Sequence, residues 1–260
     1  VYLVFNEGYL SSSADAEPLR EELTDEAIRL GRILRTLLPD EPEVAGLLAL
    51  MLLTDARRTT RVAGGELVPL PEQDRGGWDR ALIGEGHALV RECLARNRPG
   101  QYQLLAAVNA VHTDALTVAD TDWSQIVALY DQLVALDPSP IVALNRAVAV
   151  AELDGPEVAL ASIDRLSGAL DGYHPYHATR ADLLRRLGRS AESRMPATIG
   201  APARTAATRP STVSRSKRCT TWRSMNWNIG DLSAIIRRTA ASPCARRRSH
   251  GSRPSGPTAT

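Results

Sequence analysis

Aromatic residues are scarce in this chain. They make up 4% of 260 residues, and Phe5 is the single phenylalanine. Sandwiches and barrels spend aromatic and β-branched residues on their strands, so this scarcity argues against an all-β fold. Cysteine is sparse as well. Cys93, Cys219 and Cys244 show no CxxC and no Cys/His ligand spacing. That excludes a zinc-ribbon pattern and a disulfide framework, and it fits a reducing, cytoplasmic setting. No apolar run approaches the roughly 18 residues expected of a membrane-crossing helix, and no secretory signal pattern is visible. The chain opens on Val1 without an initiator Met, so a fragment lacking its N-terminal part is expected.

The familiar signatures of chemistry are missing too. Gly84-Glu85-Gly86 lacks the further glycines and the lysine of a phosphate loop, and neither GxSxG nor HExxH occurs. His174 and His177 flank Pro175-Tyr176 without an acid or thiol at ligand spacing, so an inter-repeat turn is expected there rather than a metal site. His112 follows the apolar residues Val108 and Val111 and reads as a core or groove residue, not a general base. Acid–base work needs convergent titratable groups, and none converge along the sequence. No enzyme activity, cofactor or metal is expected.

What is present is a helix-former's alphabet of Ala, Leu, Arg and Glu. The net charge of +1 conceals a split. Residues 1–192 carry 18 Arg and 29 acids, a balance of −11, whereas residues 193–260 carry 13 Arg or Lys against Asp231 alone, a balance of +12. Two parts of different origin or task are implied.

Apolar residues in the first part recur at helical steps. A first helix is expected to stop near Gly8, closed by that glycine. Ser11–Ser13 and Asp15 offer N-caps for a second helix carrying Leu19, Leu23, Ala27, Leu30 and Leu34, which Pro39 ends. Pro42 opens a third. Its run Val44, Leu47, Leu48, Leu50–Leu53 is apolar on more than one face, which predicts burial nearly all round. Residues 64–71 break the pattern and suit a short extended stretch. A helix is expected over about Arg75–Arg96, ended by Asn97-Arg98-Pro99-Gly100.

After Gly100 the chain repeats itself. Helices over Tyr102–Leu116 and Asp122–Leu136, Pro140–Leu153 and Pro156–Leu170, then Tyr176–Leu187 with a partner starting near Ser190, form hairpins. Arg146-Ala147 recurs as Arg180-Ala181, Val150 as Leu184 and Leu153 as Leu187, each 34 residues on. That is the period of tetratricopeptide-type hairpins. The expected architecture is therefore all-α, an α-solenoid of tetratricopeptide-like repeats, with residues 1–100 as a helical first part and 101–192 as the repeats. An ordinary α-bundle with a chance match is the alternative. Trp123, Ile126, Tyr130 and Leu133 share one helix face, and Asp122 reads as an N-cap. Arg146 and Arg180 occupy equivalent positions, either bridging to a neighbouring repeat or facing, with Asn145, a peptide groove.

At Ser193 the pattern stops. Pro at 196, 202, 210, 243, 254 and 257 forbids a long helix. The basic tail, 193–260, is expected to be disordered. It reads best as the product of a shifted reading frame; a solvated linker and a nucleic-acid-binding tail are the other readings.

Several segments carry a resemblance. They are Val1-Tyr2-Leu3-Val4-Phe5-Asn6-Glu7-Gly8-Tyr9, Leu38-Pro39-Asp40-Glu41-Pro42-Glu43-Val44, Gln73-Asp74-Arg75 with Trp78-Asp79, Gly100-Gln101-Tyr102-Gln103-Leu104, Thr121-Asp122-Trp123, Pro138-Ser139-Pro140 with Leu144–Val150, and Leu184-Arg185-Arg186-Leu187-Gly188-Arg189. Together they resemble the tetratricopeptide-like C-terminal extension of one group of extracytoplasmic-function (ECF) sigma factors. The resemblance implies an intact protein that binds core RNA polymerase and promoter DNA, the DNA through upstream domains this sequence lacks. The extension would regulate initiation through contacts to those sigma domains or to polymerase. Asn6, Glu7 and Tyr9 are then candidate domain-junction residues. Asp74, Arg75, Trp78, Trp123, Asn145, Arg146 and Arg180 are candidate protein contacts. A free-standing tetratricopeptide-like adaptor that binds a peptide is the rival reading.

Overall fold

The computed structural model describes residues 1–9, 20–64 and 66–189. The fold is all-α. In chain order the helices are α1 (Tyr2–Tyr9), α2 (Glu21–Leu37), α3 (Pro42–Asp55), α4 (Arg58–Arg61), α5 (Arg80–Arg96), α6 (Gln101–Asp114), α7 (Trp123–Leu136), α8 (Pro140–Leu153), α9 (Pro156–Asp164), α10 (Ser167–Leu170) and α11 (His174–Arg186). The extended stretch expected near residue 64 is a minimal hairpin, β1 (Val62–Ala63) paired antiparallel with β2 (Glu66–Leu67), with Gly64 at φ +60° supplying the turn. The proposed caps at Ser11–Ser13 and Asp15, the closing helix from Ser190 and the basic tail all lie outside the described residues.

The centre is α3. Residues Leu48–Leu53 are buried without interruption, because α1, α2, α5 and α6 all pack against this helix. Each large side chain so buried contributes roughly 1.5–3 kcal/mol. The approach of α6 is close enough to need a glycine: a Cβ on Gly46 would sit 2.7 Å from the Gln103 amide nitrogen.

From α6 onward, each helix packs on the next through α9, and α11 packs on α9 and α8. Side chains of Ile126, Tyr130, Leu133, Leu144, Ala147, Val150, Ile163 and Leu184 join these helices to the α3 centre in one apolar core. The small residues Ala147, Ala151 and Ala159 are almost fully buried, which lets the backbones approach closely.

Several boundaries differ from expectation for identifiable reasons. The first helix ends at Tyr9, near Gly8 as expected, but Gly8 itself lies inside the helix. Its missing side chain instead admits α2, since a Cβ there would meet the Thr24 nitrogen at 2.7 Å. The helix expected from Arg75 begins at Arg80, where Asp79 accepts from the Ala81 and Leu82 amides at 2.8 and 3.1 Å. The expected Pro156–Leu170 helix breaks after Asp164, before the weak helix formers Ser167-Gly168, and both Ile163 and Leu170 remain buried. Pro175 is not in a turn between repeats. It occupies the first turn of α11, where a missing N–H costs nothing.

Candidate functional site

The two parts of the chain meet around Arg75. Gln73 is buried and donates through Nε2 to the Val68 carbonyl at 2.9 Å. Asp74 accepts from the Gly76 amide at 2.9 Å, which tightens residues 75–77 into a single 3₁₀ turn. That turn aims Arg75 inward. Its guanidinium donates to the carbonyls of His112 (2.6 Å) and Ala115 (2.8 Å) at the end of α6 and stands 4.9 Å from the Trp78 ring. Trp78 is buried, and its indole N–H donates to Thr60 Oγ1 at 3.0 Å. The Asp74-Arg75-Trp78 group is thus an internal clasp between the first part and the repeats, with Arg75 and Trp78 inside the protein.

The clasp holds Pro69-Leu70-Pro71-Glu72 as one wall of a cavity of about 380 Å³. Val108 and His112 of α6, Trp123, Ile126 and Tyr130 of α7, Asn145, Val148 and Ala149 of α8, and Thr179 and Leu183 of α11 line much of the rest. The floor is mainly apolar. His112 stands edge-on to Trp123 with ring centroids 5.4 Å apart. Burial, helped by the nearby Arg57 and Arg75 charges, pushes its pKa down to about 3, so the imidazole is neutral at pH 7. Its ring makes no hydrogen bond among the described residues, and its Nδ1 is buried. At the mouth, charges are paired: Arg186 with Glu152 (2.7 Å) and Arg185 with Asp182 (2.5 Å).

Arg146 of α8 pairs with Asp131 of α7 at 2.6 Å, and Arg180 of α11 with Asp164 of α9 at 2.8 Å. Two residues one repeat apart therefore make the same bridge, and neither lines the cavity. Asn145 does line it, together with Trp123. Asn6 and Glu7 lie half-buried on α1. Tyr9 is buried; its carbonyl accepts from Arg61 at 2.8 Å, and its ring lies 3.1 Å from the Arg61 guanidinium carbon.

Sequence reasoning passed over several residues that shape this region. Arg57 and Arg61 are each 1% exposed, although nothing in their spacing marks two interior cations. Glu43 reaches across from α3 and accepts from the Tyr102 amide (3.0 Å), the Gln103 amide (3.3 Å) and Gln103 Nε2 (2.9 Å), capping the start of α6. The only signal for that role was the pairing of an acid in one quoted segment with Gly100-Gln101-Tyr102-Gln103 in another. Among the described residues, no three His, Cys, Asp or Glu side chains gather closely enough to hold a metal ion, and no helix is long and apolar enough to cross a membrane.

No solved structure matches the chain. An uncharacterized protein of Rhizobium meliloti (strain 1021) is 48% identical over 195 residues, which is 75% of this chain and 46% of that relative. The chain thus spans about half the length of the curated relative it matches. Residues 1–94, from α1 through most of α5, match the DUF6596 family, a family of unknown function.

Proposed function

We propose that this chain is the regulatory, protein-binding extension of an ECF-type RNA polymerase sigma factor and acts in transcription initiation in the cytoplasm. Its partners are core RNA polymerase and the promoter-reading domains of the same protein; promoter DNA is contacted by those domains. The chain itself performs no catalysis and holds no cofactor. The ordered motifs quoted above motivate this reading. The observation that carries it is the outer face of α1. Tyr2, Phe5 and Tyr9 bury one side of this helix, while Leu3 and Val4 stay 56% and 39% exposed on the other. An apolar strip beside the expected domain junction suits docking of another domain. The longer Rhizobium relative has room for such domains outside the matched length.

The test uses that intact relative. Core RNA polymerase should co-purify with it, and removing the region matching this chain should change promoter-dependent transcription in vitro. A protein that neither binds polymerase nor supports promoter-dependent initiation refutes the reading. The rival, a free-standing adaptor for a peptide, draws on the cavity between α6, α7, α8 and α11. It predicts a partner peptide bound there and no association with polymerase.

A further inference from the structure

We infer that the cavity walled by residues 69–72 is a receptor site for a small, uncharged, mainly apolar molecule carrying one hydrogen-bonding group. The inference does not depend on the transcription reading.

Size comes first. At about 380 Å³ the cavity lies at the small end of the roughly 300–1,000 Å³ range of ligand pockets. Two fused rings fit such a space with room to spare. Composition comes second. The walls are apolar side chains of Leu70, Val108, Trp123, Ile126, Val148 and Leu183, and burying an apolar ligand against them is favourable in proportion to area.

Polarity decides the ligand's class. The side chains of Trp123, Tyr130 and Asn145 line the cavity, and each carries an uncharged polar group without a hydrogen bond among the described residues. Of these, the Asn145 amide is half-buried. A bound molecule that hydrogen-bonds one of these groups gains a direct polar contact beyond its apolar burial. His112 lines the cavity as well, 6% exposed, but its unpartnered Nδ1 is sealed within the protein. Every ionic group at the mouth already has a partner within the protein: Arg186 has Glu152, Arg185 has Asp182, and Glu72 is also engaged. No free charge remains to select an anion or a cation. The neutral state of His112 agrees with this.

The ligand would also touch both parts of the chain at once, Leu70 from the clasped segment and Leu183 from α11. It would therefore tie the first part to the last described helix.

The experiment titrates the full chain with naphthalene, 1-naphthol and 1-naphthoate at pH 7, following probe and tryptophan fluorescence. One molecule of 1-naphthol should bind per chain, several-fold more tightly than naphthalene and at least tenfold more tightly than naphthoate. Val148→Trp, which fills the cavity from a half-buried position, should weaken both neutral probes at least tenfold with unchanged helical circular dichroism. Ala149→Leu is the second filling variant, should the first fail to fold. Asn145→Leu should leave naphthalene binding intact and reduce the naphthol preference. Unsaturable binding, insensitivity to both filling variants, or equal affinity for naphthoate overturns the inference. So does binding of a capped, uncharged Leu-Ser-Leu-Ser-Leu-Ser peptide where no naphthalene probe binds; the cavity would then be a peptide site.

Discussion

The Arg75 guanidinium donates to the main-chain oxygen of His112 at 2.6 Å, and His112 is itself among the residues that line the cavity. One residue of the clasp thereby fixes the helix end that carries this buried imidazole. The wall at residues 69–72 and the floor at α6 are set by the same side chain, so disturbing the clasp disturbs the cavity.

Arg75→Lys tests this coupling. Lysine keeps the charge but cannot span the His112 and Ala115 carbonyls with a planar fork. A loss of about 2 kcal/mol is expected in chemical denaturation, with faster proteolysis between residues 64 and 73. A variant as stable and as protease-resistant as the parent would show that the clasp contributes nothing.

Glu43 and Gly100 form a second coupled pair. A Cβ on Gly100 would stand 2.3 Å from the Glu43 carboxyl group, so Gly100→Ala must expel the side chain that caps α6. Each single change, Gly100→Ala or Glu43→Ala, is expected to cost about 1–2 kcal/mol. In the double variant the second change should cost much less than it does alone. Additive losses, read from denaturation midpoints, would remove Glu43 from its capping role.

The repeated bridges should matter little. Arg146 and Arg180 are half-buried, and their partners Asp131 and Asp164 are about half exposed. Exposed pairs of this kind are worth about 0–1 kcal/mol. Arg146→Ala and Arg180→Ala should each lower stability by less than about 1 kcal/mol and by similar amounts, because they occupy equivalent places. A large, unequal effect would mean that one of them does more than bridge two helices.

His112 makes stability depend on pH. Its folded pKa is pushed down to about 3 by burial and by Arg57 and Arg75, below the unfolded value near 6.5. Between these values the unfolded chain binds a proton that the folded chain does not, so this residue's contribution falls as pH drops from about 6.5 toward 3. From pH 7 to pH 5 the loss is on the order of 1–2 kcal/mol. His112→Phe should flatten that part of the profile. Parent and variant profiles that run parallel from pH 7 to 5 would rule out a buried neutral imidazole.

Much of the helical architecture was legible along the chain. The period of the apolar residues placed α2, α3 and α6–α8 to within a few positions, and the continuous run Leu47–Leu53 announced a helix surrounded by others. Local chemistry also read correctly at Asp122, whose side chain accepts from the Gln125 amide at 2.9 Å. Misreadings arose where two local signals competed. α1 does end beside Gly8, but that glycine lies inside the helix and serves a close crossing rather than the cap. The start of α5 was placed at Arg75, although Asp79 holds the better cap. The cavity was legible only in part. Asn145 reads from sequence as a groove candidate, His112 as a core or groove residue and Trp123 as a protein contact, whereas nothing marks the wall at residues 69–72.

Sequence by itself determined the helical class, the 34-residue recurrence of Arg146 and Arg180, and the change of composition after residue 192. Those are properties of neighbours along the chain, governed by propensity and by the period of apolar residues. Tertiary structure alone decided that Arg75 reaches a carbonyl 37 residues away and that Glu43 caps a helix about 60 residues away. It also decided that Arg57 and Arg61 lie inside the protein and that the bridge of Arg146 to Asp131 keeps it out of the cavity. Packing fixes these contacts by bringing distant segments together around α3, and local sequence carries no record of which groups will meet there.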